Sequence, residues 1–309
     1  MRAISQRAFG GPAVLELTEI DEPTPGPGEV QLRVQAAGVN PADWKARAGL
    51  LTPAVPDPFV LGLDVAGVVS AVGPDVTRFR VGDDVYGYTM PPRGSHAEYT
   101  VAAESALAAT GGLEPVTAAA LPIAALTAWQ PLARIAGVRP GQRVLVHAAA
   151  GGVGHLAVQL AKSMGAHVTG TARPANHAFL RDLGADALID YTSVDFAAVL
   201  RDIDVVIDPI GDAYGPRSLQ VLAPGGTLID VRGTGPDRTE TRALAARLGH
   251  RYVEFRIDRN GADLDHITTL VAQGTLRVVV SQTLPLADAA KAHELIETGR
   301  TQGKLVLLP

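Results

Sequence analysis

The segment RVLVHAAAGGVGHLAVQLAKSMGAHVTGTAR, Arg143 to Arg173, constrains the fold of this 309-residue chain most. An apolar run leads into a turn of alanine and glycine. Leu156, Leu160 and Met164 then recur every four residues, which predicts a helix with one apolar stripe. Gly165 is the expected end of that helix, and a second strand follows. Strand, glycine-rich turn, helix and strand in this order are typical of a parallel sheet.

The same alternation of strands and helices continues along the chain, so we expect right-handed βαβ units that build a doubly wound parallel sheet. Helices of roughly ten residues separate the strands. The strands predicted from the sequence are Arg143–Ala148, His167–Ala172, Asp186–Tyr191, Asp204–Ile210, Thr227–Arg232 and Tyr252–Ile257.

The first part of the chain has a different pattern, in which short strands are separated by glycine and proline. This pattern predicts a small β-barrel or sandwich. A helix near 263–273, a strand-like tail and a final helix at 287–298 follow the parallel sheet, and we expect the tail to rejoin the first domain. The predicted domains are therefore 1–120 with 275–309, and 121–274. The strands expected in the first domain are Glu29–Asn40, Leu63–Gly73, Val81–Thr89 and Ser95–Ala103.

The turn after the first parallel strand has the spacing of a dinucleotide fingerprint. Ala149, Gly151 and Gly154 occupy the three positions of the G-x-G-x-x-G pattern, with alanine in place of the first glycine. The middle glycine lets a pyrophosphate approach the backbone, and the last lets the helix pack closely on the strand. Free N–H groups at the start of the helix are suited to bind phosphate.

The end of the second parallel strand indicates which nucleotide binds. Enzymes that use NAD place an acidic residue there to bind the ribose hydroxyls. This chain has Ala172 and then Arg173, which leaves room for a 2′-phosphate and supplies a bidentate cation. We therefore predict NADPH rather than NADH as the cofactor. Tyr191, at the end of the third strand, is expected either to flank the same phosphate or to pack.

Several stretches along the chain carry a resemblance to a known family. They are AAGVNPADWKARAGL (36–50), LGLDVAGVVSAVGPDVTRFRVGDDVYG (61–87), AALTAW (124–129), HAAAGGVGHLAVQLAKSMGAHV (147–168) and AHELIETGRTQGKLVL (292–307). The chain resembles the zinc-independent quinone oxidoreductase branch of the medium-chain dehydrogenase/reductase superfamily. The resemblance implies an α/β protein with a GroES-like β-barrel domain and a Rossmann domain, and hydride transfer in the cleft between them.

The resemblance also implies roles for individual residues. Asn40, Asp43 and Lys45 are the candidate catalytic residues, beside the nicotinamide and the substrate. Lys45 is expected either to carry positive charge towards the ribose or the developing oxyanion, or to be a solvated helix lysine. The implied cofactor contacts beyond the fingerprint and Tyr191 are Trp44, Thr127, Gly152, Val153, Gly170, Thr171, Ala172, Arg173, Val231, Arg232, Gly233, Thr234, Phe255 and Arg300.

The sequence departs from the zinc-dependent alcohol dehydrogenases of the same superfamily at the metal ligands. Leu63 and Asp64 stand where those enzymes have a His-Glu pair, and the chain has no cysteine. We therefore predict no metal site. Without a Lewis acid, the acceptor must take a hydride unaided, which quinones and α,β-unsaturated carbonyls do. Tyr86, Tyr88 and His96 are possible proton donors, and solvent is the default source.

Composition narrows the partners. The chain has 27 basic and 32 acidic residues without a block of like charge, so neither a nucleic acid nor an anionic membrane is an expected partner. The start of the chain has no unbroken apolar run of the kind that targets secretion, and we expect a cytoplasmic protein. A homodimer that pairs through the strand at 252–257 is also expected.

The function predicted is the NADPH-dependent, zinc-free reduction of quinones. The alternatives are a dedicated enone or enoyl reductase and, from another class, an NADPH-binding sensor or structural protein without turnover.

Overall fold

The computed structural model describes residues 1–51, 54–55, 58–233, 235 and 237–309. The chain forms two compact units. Unit 1 contains Met1–Leu126, Arg259–Gly274 and Val278–Pro309, and unit 2 contains Thr127–Asp258 and Thr275–Arg277. The division expected from the sequence differs at three places: residues 121–126 and 259–274 belong to unit 1, and residues 275–277 belong to unit 2.

The elements before the glycine-rich turn are mostly short strands. The strands are β1 (Arg2–Ser5), β2 (Glu16–Glu19), β3 (Glu29–Val39), β4 (Asp64–Val72), β5 (Asp84–Tyr88), β6 (Tyr99–Ala103), β7 (Leu107–Ala109) and β8 (Arg143–Val146). The helices are α1 (Pro41–Arg47), α2 (Pro115–Ala119) and α3 (Pro122–Gln130).

Helices and strands alternate in the rest of the chain. The helices are α4 (Gly154–Ser163), α5 (His177–Asp182), α6 (Phe196–Val199), α7 (Tyr214–Leu219), α8 (Thr239–Leu248), α9 (Gly261–Ala272) and α10 (Ala289–Glu297). The strands are β9 (His167–Thr171), β10 (Ala187–Ile189), β11 (Ile203–Asp208), β12 (Leu222–Asp230), β13 (Arg251–Glu254), β14 (Val280–Pro285) and β15 (Lys304–Leu308).

Unit 2 is built on a sheet of parallel strands. Within the described residues the order is β10-β9-β8-β11-β12-β13, which is the doubly wound Rossmann order. Each strand predicted from the sequence is present, so the predicted fold class is confirmed. β13 lies at the edge of the sheet, as the expected dimer contact requires, and its pairing with a second copy stays a prediction.

The strand β12 begins earlier than the sequence pattern predicts. It starts at Leu222, whereas the prediction began at Thr227 because Pro224, Gly225 and Gly226 are typical of a loop. The pairing survives because the register between β11 and β12 shifts here, which accommodates the extra residues as a bulge.

Unit 1 contains a mostly antiparallel sheet that the end of the chain completes, with β14 and β15 paired in parallel. Among the described residues its order is β14-β15-β3-β4-β5-β7, with β6 also paired to β3. The last strand, β15, is antiparallel to β3, with Leu305 opposite Val39. The tail therefore rejoins the first domain, as expected. Its packing against β3 buries Leu305 and Leu307 in the same core as Val30, Leu32 and Val65.

Helix α9 belongs to unit 1 because it is anchored on the barrel strands. The hydroxyl of Tyr86 on β5 donates to the carbonyl oxygen of Leu264 at 2.9 Å and lies 2.9 Å from the Thr268 hydroxyl. At the start of the helix, a Cβ on Gly261 would lie 2.1 Å from the carbonyl oxygen of Leu107. The sequence pattern of residues 263–273 predicts this helix, but it does not predict that the helix contacts β5.

In the part of the chain that the structure describes, no helix is both long and apolar enough to cross a membrane.

Candidate functional site

The turn between β8 and α4 has the geometry of a phosphate cradle. The N–H of Ala149 donates to the carbonyl oxygen of Thr171 at 3.1 Å, and that of Gly151 donates to Ala148 at 2.9 Å, so the turn is fixed against β9. A Cβ on Gly154 would lie 2.3 Å from the carbonyl oxygen of Ala148. Only glycine therefore allows the helix to start so close to the strand.

The start of α4 also leaves donors available. The N–H groups of Gly152, Val153 and Gly154 form no hydrogen bond with another described residue. The space beside Gly151 is open, since a Cβ there would come within 4 Å of one atom only. Unpaired N–H groups at the positive end of a helix bind anions. The sequence-predicted fingerprint residues therefore come together in a turn that fits a pyrophosphate.

A cation is held at the end of β9, where the sequence predicts a 2′-phosphate contact. The Arg173 side chain is exposed, and its Nε donates to the Tyr191 hydroxyl at 2.9 Å. The residue before it, Ala172, is small and buried. Tyr191 is 38% exposed. The structure thus brings Arg173 and Tyr191 together, with polar atoms of both beside open solvent.

One of the predicted cofactor-binding residues after β12, Arg232, forms ion pairs within the protein. Arg232 forms ion pairs with Asp230 and with Asp212, each at 2.7 Å. Asp230 also accepts hydrogen bonds from Arg238 and from the hydroxyl of Tyr252. Burial raises the pKa of Asp230, but the hydrogen bonds from the two arginines outweigh it and lower the pKa to about 2. This network, absent from the sequence prediction, fixes the chain after β12.

The other predicted cofactor residues occupy varied positions. Gly170 and Thr171 lie in β9, and Val231 and Phe255 are buried just beyond β12 and β13. Gly233 is exposed, and Thr234 lies outside the described residues. Of the remaining three, Trp44 is half-buried in α1, Thr127 is buried in α3 and Arg300 is exposed after α10.

A buried polar cluster lies at the start of α1 in unit 1. The Lys304 ammonium donates to Asp64 Oδ2 at 3.1 Å, to Asn40 Oδ1 at 2.5 Å and to the carbonyl oxygen of Val39 at 3.2 Å. Asn40 Nδ2 donates to Asp64 Oδ2 at 2.9 Å, and the N–H of Ile123 donates to Oδ1 at 2.8 Å. Every donor of the ammonium is satisfied, which a buried charge requires.

Asp43 joins this cluster from the first turn of α1. Its Oδ2 accepts from the N–H of Asn40 at 2.7 Å, and its side chain is buried. The pKa of Asp43 is raised to about 7, mainly by burial and also by the nearby Asp64, while the Asn40 N–H and Lys304 oppose the shift. The carboxyl group therefore changes its protonation state near neutral pH.

The structure brings Asn40 and Asp43 together, as the sequence predicts, but both are almost fully buried. Lys45 lies in the same helix and is half-buried. Sequence reasoning did not assign Lys304 or Asp64 to this cluster. The sequence does contain one indication of this cluster: Lys304 begins an otherwise apolar strand, and a lysine at such a position is seldom buried without a partner.

Comparison with known proteins identifies the family. A model of the alcohol dehydrogenase GroES-like domain matches residues 26–117, and a model described as zinc-binding dehydrogenase matches residues 183–307. A quinone oxidoreductase of Pseudomonas aeruginosa is 36% identical over 325 residues, covering 100% of this chain and 99% of that protein. A 2-haloacrylate reductase of Burkholderia sp is 36% identical, covering 97% of this chain and 96% of that protein.

Solved structures agree with this assignment. The quinone oxidoreductase from Coxiella burnetii has a TM-score of 0.94 at 36% identity, and covers 100% of this chain and 99% of its own. The Escherichia coli quinone oxidoreductase complexed with NADPH has a TM-score of 0.89 at 28% identity, with full coverage of both chains. The chain belongs to the quinone oxidoreductase branch of the medium-chain dehydrogenase/reductase superfamily. It is accordingly an oxidoreductase, which disfavours a protein without turnover.

One of the two matching family models is described as zinc-binding, but the residues of the present chain do not fit a zinc ion. The described residues contain no group of three or more His, Cys, Asp and Glu side chains that would hold a metal ion. Asp64, which the resemblance in sequence sets at the glutamate of the zinc-dependent relatives, is paired here with the ammonium of Lys304. The chain also lacks cysteine. A divalent cation beside this buried ammonium would be repelled.

Two of the buried histidines, His147 and His293, have neighbours that make them poor metal ligands. Both ring nitrogens of His147 lie within 3.1 Å of hydroxyl groups, those of Thr171 and Ser218. His293 lies 3.2 Å from the guanidinium of Arg47. Both ring nitrogens of His147 are therefore used within the protein, and the Nδ1 of His293 faces a positive charge.

Replacing Lys304 tests the buried ion pair. We expect Lys304→Met to lower the free energy of unfolding in urea by about 3–5 kcal/mol, because Asp64 is left as an uncompensated buried charge. The double variant Lys304→Met with Asp64→Asn should recover part of that loss. The exposed Lys291 supplies the control, since Lys291→Met should change stability by less than about 0.5 kcal/mol. Equal stability of the Lys304 and Lys291 variants would contradict the account.

The raised pKa of Asp43 predicts a pH dependence of stability. Between the ordinary pKa of 3.8 and the folded pKa of about 7, the native carboxyl group binds more protons than the unfolded one. Its contribution to stability is therefore present at low pH and falls as pH rises through this window. Asp43→Asn removes the titration, so the variant should gain stability relative to the wild type from pH 4 to pH 7, as measured by urea unfolding.

The exposed Asp21 supplies the matched control, and Asp21→Asn should show no such trend. A flat difference between the Asp43 variant and the wild type, or one with the opposite slope, would rule out a raised pKa.

Proposed function

We propose that this chain is an NADPH-dependent reductase that transfers a hydride to quinones without a metal. The observation that carries the cofactor assignment is Arg173, which is exposed at the end of β9 with its Nε on the Tyr191 hydroxyl. The acceptor assignment draws support from relatives named as quinone oxidoreductases. The proposal of zinc independence draws support from the donor set around Asp64, which already contains an ammonium.

In this proposal the residues of unit 2 hold the nucleotide. The N–H groups of Gly152, Val153 and Gly154 bind the pyrophosphate at the start of α4. Arg173 and the Tyr191 hydroxyl bind the 2′-phosphate, with the guanidinium as a bidentate donor. Bound NADPH supplies a hydride to the acceptor, and the overall reaction consumes one proton as the quinone becomes the quinol.

In this proposal the residues of unit 1 position helix α1 and stabilise the charge that develops on the acceptor. The cluster of Lys304, Asp64, Asn40 and Asp43 fixes the first turn of α1, and its buried members act as positioning residues. Lys45, later in that helix, supplies positive charge where negative charge develops on the acceptor oxygen. Solvent supplies the proton, since Tyr86 donates to Leu264, burial lowers the pKa of His96 to about 4, and burial raises the pKa of Tyr88 to about 12.

A dedicated reductase of activated alkenes is the second candidate. It is favoured by the 2-haloacrylate reductase of Burkholderia sp, which matches this chain over nearly its full length at the same identity as the Pseudomonas protein. Both candidates need the same cofactor and the same hydride transfer, so the acceptor alone distinguishes them.

Turnover with a panel of acceptors tests the proposed function. Loss of NADPH absorbance should be fastest with 1,4-benzoquinone and 9,10-phenanthrenequinone, because these accept hydride without activation. A short enone and crotonyl thioester form the second arm. Turnover of the alkenes without the quinones would support the second candidate, and turnover of none would refute the assignment of both.

Substitution of Arg173 tests the choice of nucleotide. Arg173→Gln should raise the KM for NADPH by about tenfold or more, because a charge-assisted contact to the 2′-phosphate is lost. The KM for NADH should change little, since NADH lacks that phosphate. Arg139→Gln, at another exposed arginine of unit 2, is the matched control. A wild type that prefers NADH, or an equal effect of Arg173→Gln on both nucleotides, would overturn the assignment.

A further inference from the structure

A small cavity opens within unit 1 beside the buried polar cluster. Its volume is about 280 Å³, just below the roughly 300–1,000 Å³ typical of ligand pockets. The lower end of that range suits one ring or a short substituent. Its lining includes Glu29, Tyr88, Arg93 and Arg259.

The charges of this lining leave one cation uncompensated. Arg93 forms a two-pronged ion pair with Glu29, at 2.6 and 3.0 Å, and the hydrogen bond from Arg93 lowers the pKa of that carboxyl group. These two charges cancel. Arg259 is exposed and forms no ion pair with any acidic side chain of the described chain. The cavity therefore carries a net positive charge at neutral pH.

Arg259 is nevertheless held at a definite place. Its guanidinium carbon lies 4.6 Å from the centre of the Tyr88 ring, which is a cation–π contact. Such a contact uses the face of the guanidinium and leaves its N–H donors free for an acceptor. A carboxylate or sulfonate binds those donors more strongly than water does when the site is partly enclosed.

Tyr88 supplies a second donor in the same cavity. Its side chain is 6% exposed, and its hydroxyl forms no hydrogen bond with another residue that the structure describes. Burial raises the pKa of Tyr88 to about 12, with Asp64 and Asp43 adding to the shift and Arg259 opposing it, so the phenol stays protonated. A neutral phenol beside a guanidinium is a donor pair suited to an anion.

The position of Tyr88 connects this cavity to the cluster around Asn40. Tyr88 on β5 lies directly opposite Asp64 on β4, and side chains of opposed residues in an antiparallel pair share one face of the sheet. Asp64 in turn binds Asn40 and Lys304. A group bound between Tyr88 and Arg259 therefore lies next to the residues that position α1.

We propose that this cavity binds an anionic substituent of the hydride acceptor, with Arg259 as the counter-ion and the Tyr88 hydroxyl as the second donor. The substrate class is then quinones or activated alkenes that bear a carboxylate or sulfonate. This inference rests on the proposed function, because it names a class of acceptor for that reaction. Arg259 acts here as a specificity-determining residue.

A matched pair of acceptors tests the proposal. 1,2-Naphthoquinone and its 4-sulfonate differ in charge, and the ratio of their kcat/KM values is compared between enzymes so that intrinsic reactivity cancels. Arg259→Gln should lower the sulfonate-to-neutral ratio by about tenfold, mainly through KM for the sulfonate. Arg259→Lys should retain part of the ratio. Arg7→Gln, at an exposed arginine of unit 1, should leave the ratio within twofold of the wild type.

Binding measured without turnover separates this proposal from the proposed function. Calorimetric titration of the NADPH-free protein with benzoate should show binding that Arg259→Gln weakens about tenfold and Tyr88→Phe weakens less. Benzoate binding to a protein that reduces none of the acceptors would refute the proposed function while supporting an anion site. An unchanged acceptor ratio in Arg259→Gln, or benzoate binding that is absent or indifferent to Arg259, would overturn the anion site.

Discussion

The ion pair between Lys304 and Asp64 is the interaction on which the arrangement of unit 1 depends. Its two residues stand at the starts of β15 and β4, and Asn40 connects both of them to the start of α1. The N–H of Ile123 adds the first turn of α3. Four separate segments of the chain thus meet at two opposite charges, which are nearly inaccessible to solvent and are stable only as a pair.

This interaction has a chemical consequence. The positive charge beside Asp64 is the ammonium of Lys304, and an ammonium has no open coordination site. Such a centre cannot bind and polarise an alcohol oxygen as a zinc ion does. The arrangement suits acceptors that are already electrophilic. In the proposal made above, Arg259, whose guanidinium lies on the Tyr88 ring, is a second positive centre that selects among those acceptors.

Much of the fold follows from local patterns in the sequence. Apolar periodicity predicts the parallel strands of unit 2 and the helix α4, and the glycine spacing predicts the turn that precedes this helix. The sequence does not reveal that β12 begins at Leu222, because Pro-Gly-Gly is normally a loop signal and the bulge depends on a neighbouring strand. It also does not place α9 on the barrel, since that contact depends on the Tyr86 hydroxyl.

The candidate site is predictable only in part for the same reason. Arg173 stands at a fixed distance after a glycine pattern, so counting along the chain finds it. Lys304 and Asp64 are 240 positions apart, and only the folded sheet brings them together. Arg232 has the position of a cofactor contact, yet its guanidinium is engaged by Asp230 and Asp212. Local sequence does not encode which partner a charged side chain selects.

The central claim is that a protein ammonium, and no metal ion, provides the buried cation of this reductase. The most direct measurement is the rate of NADPH-dependent quinone reduction by protein that has been stripped with a chelator, with its zinc content determined by elemental analysis. The account predicts an undiminished rate in protein that is free of zinc. Loss of the rate on stripping, with recovery when stoichiometric zinc is restored, would contradict it.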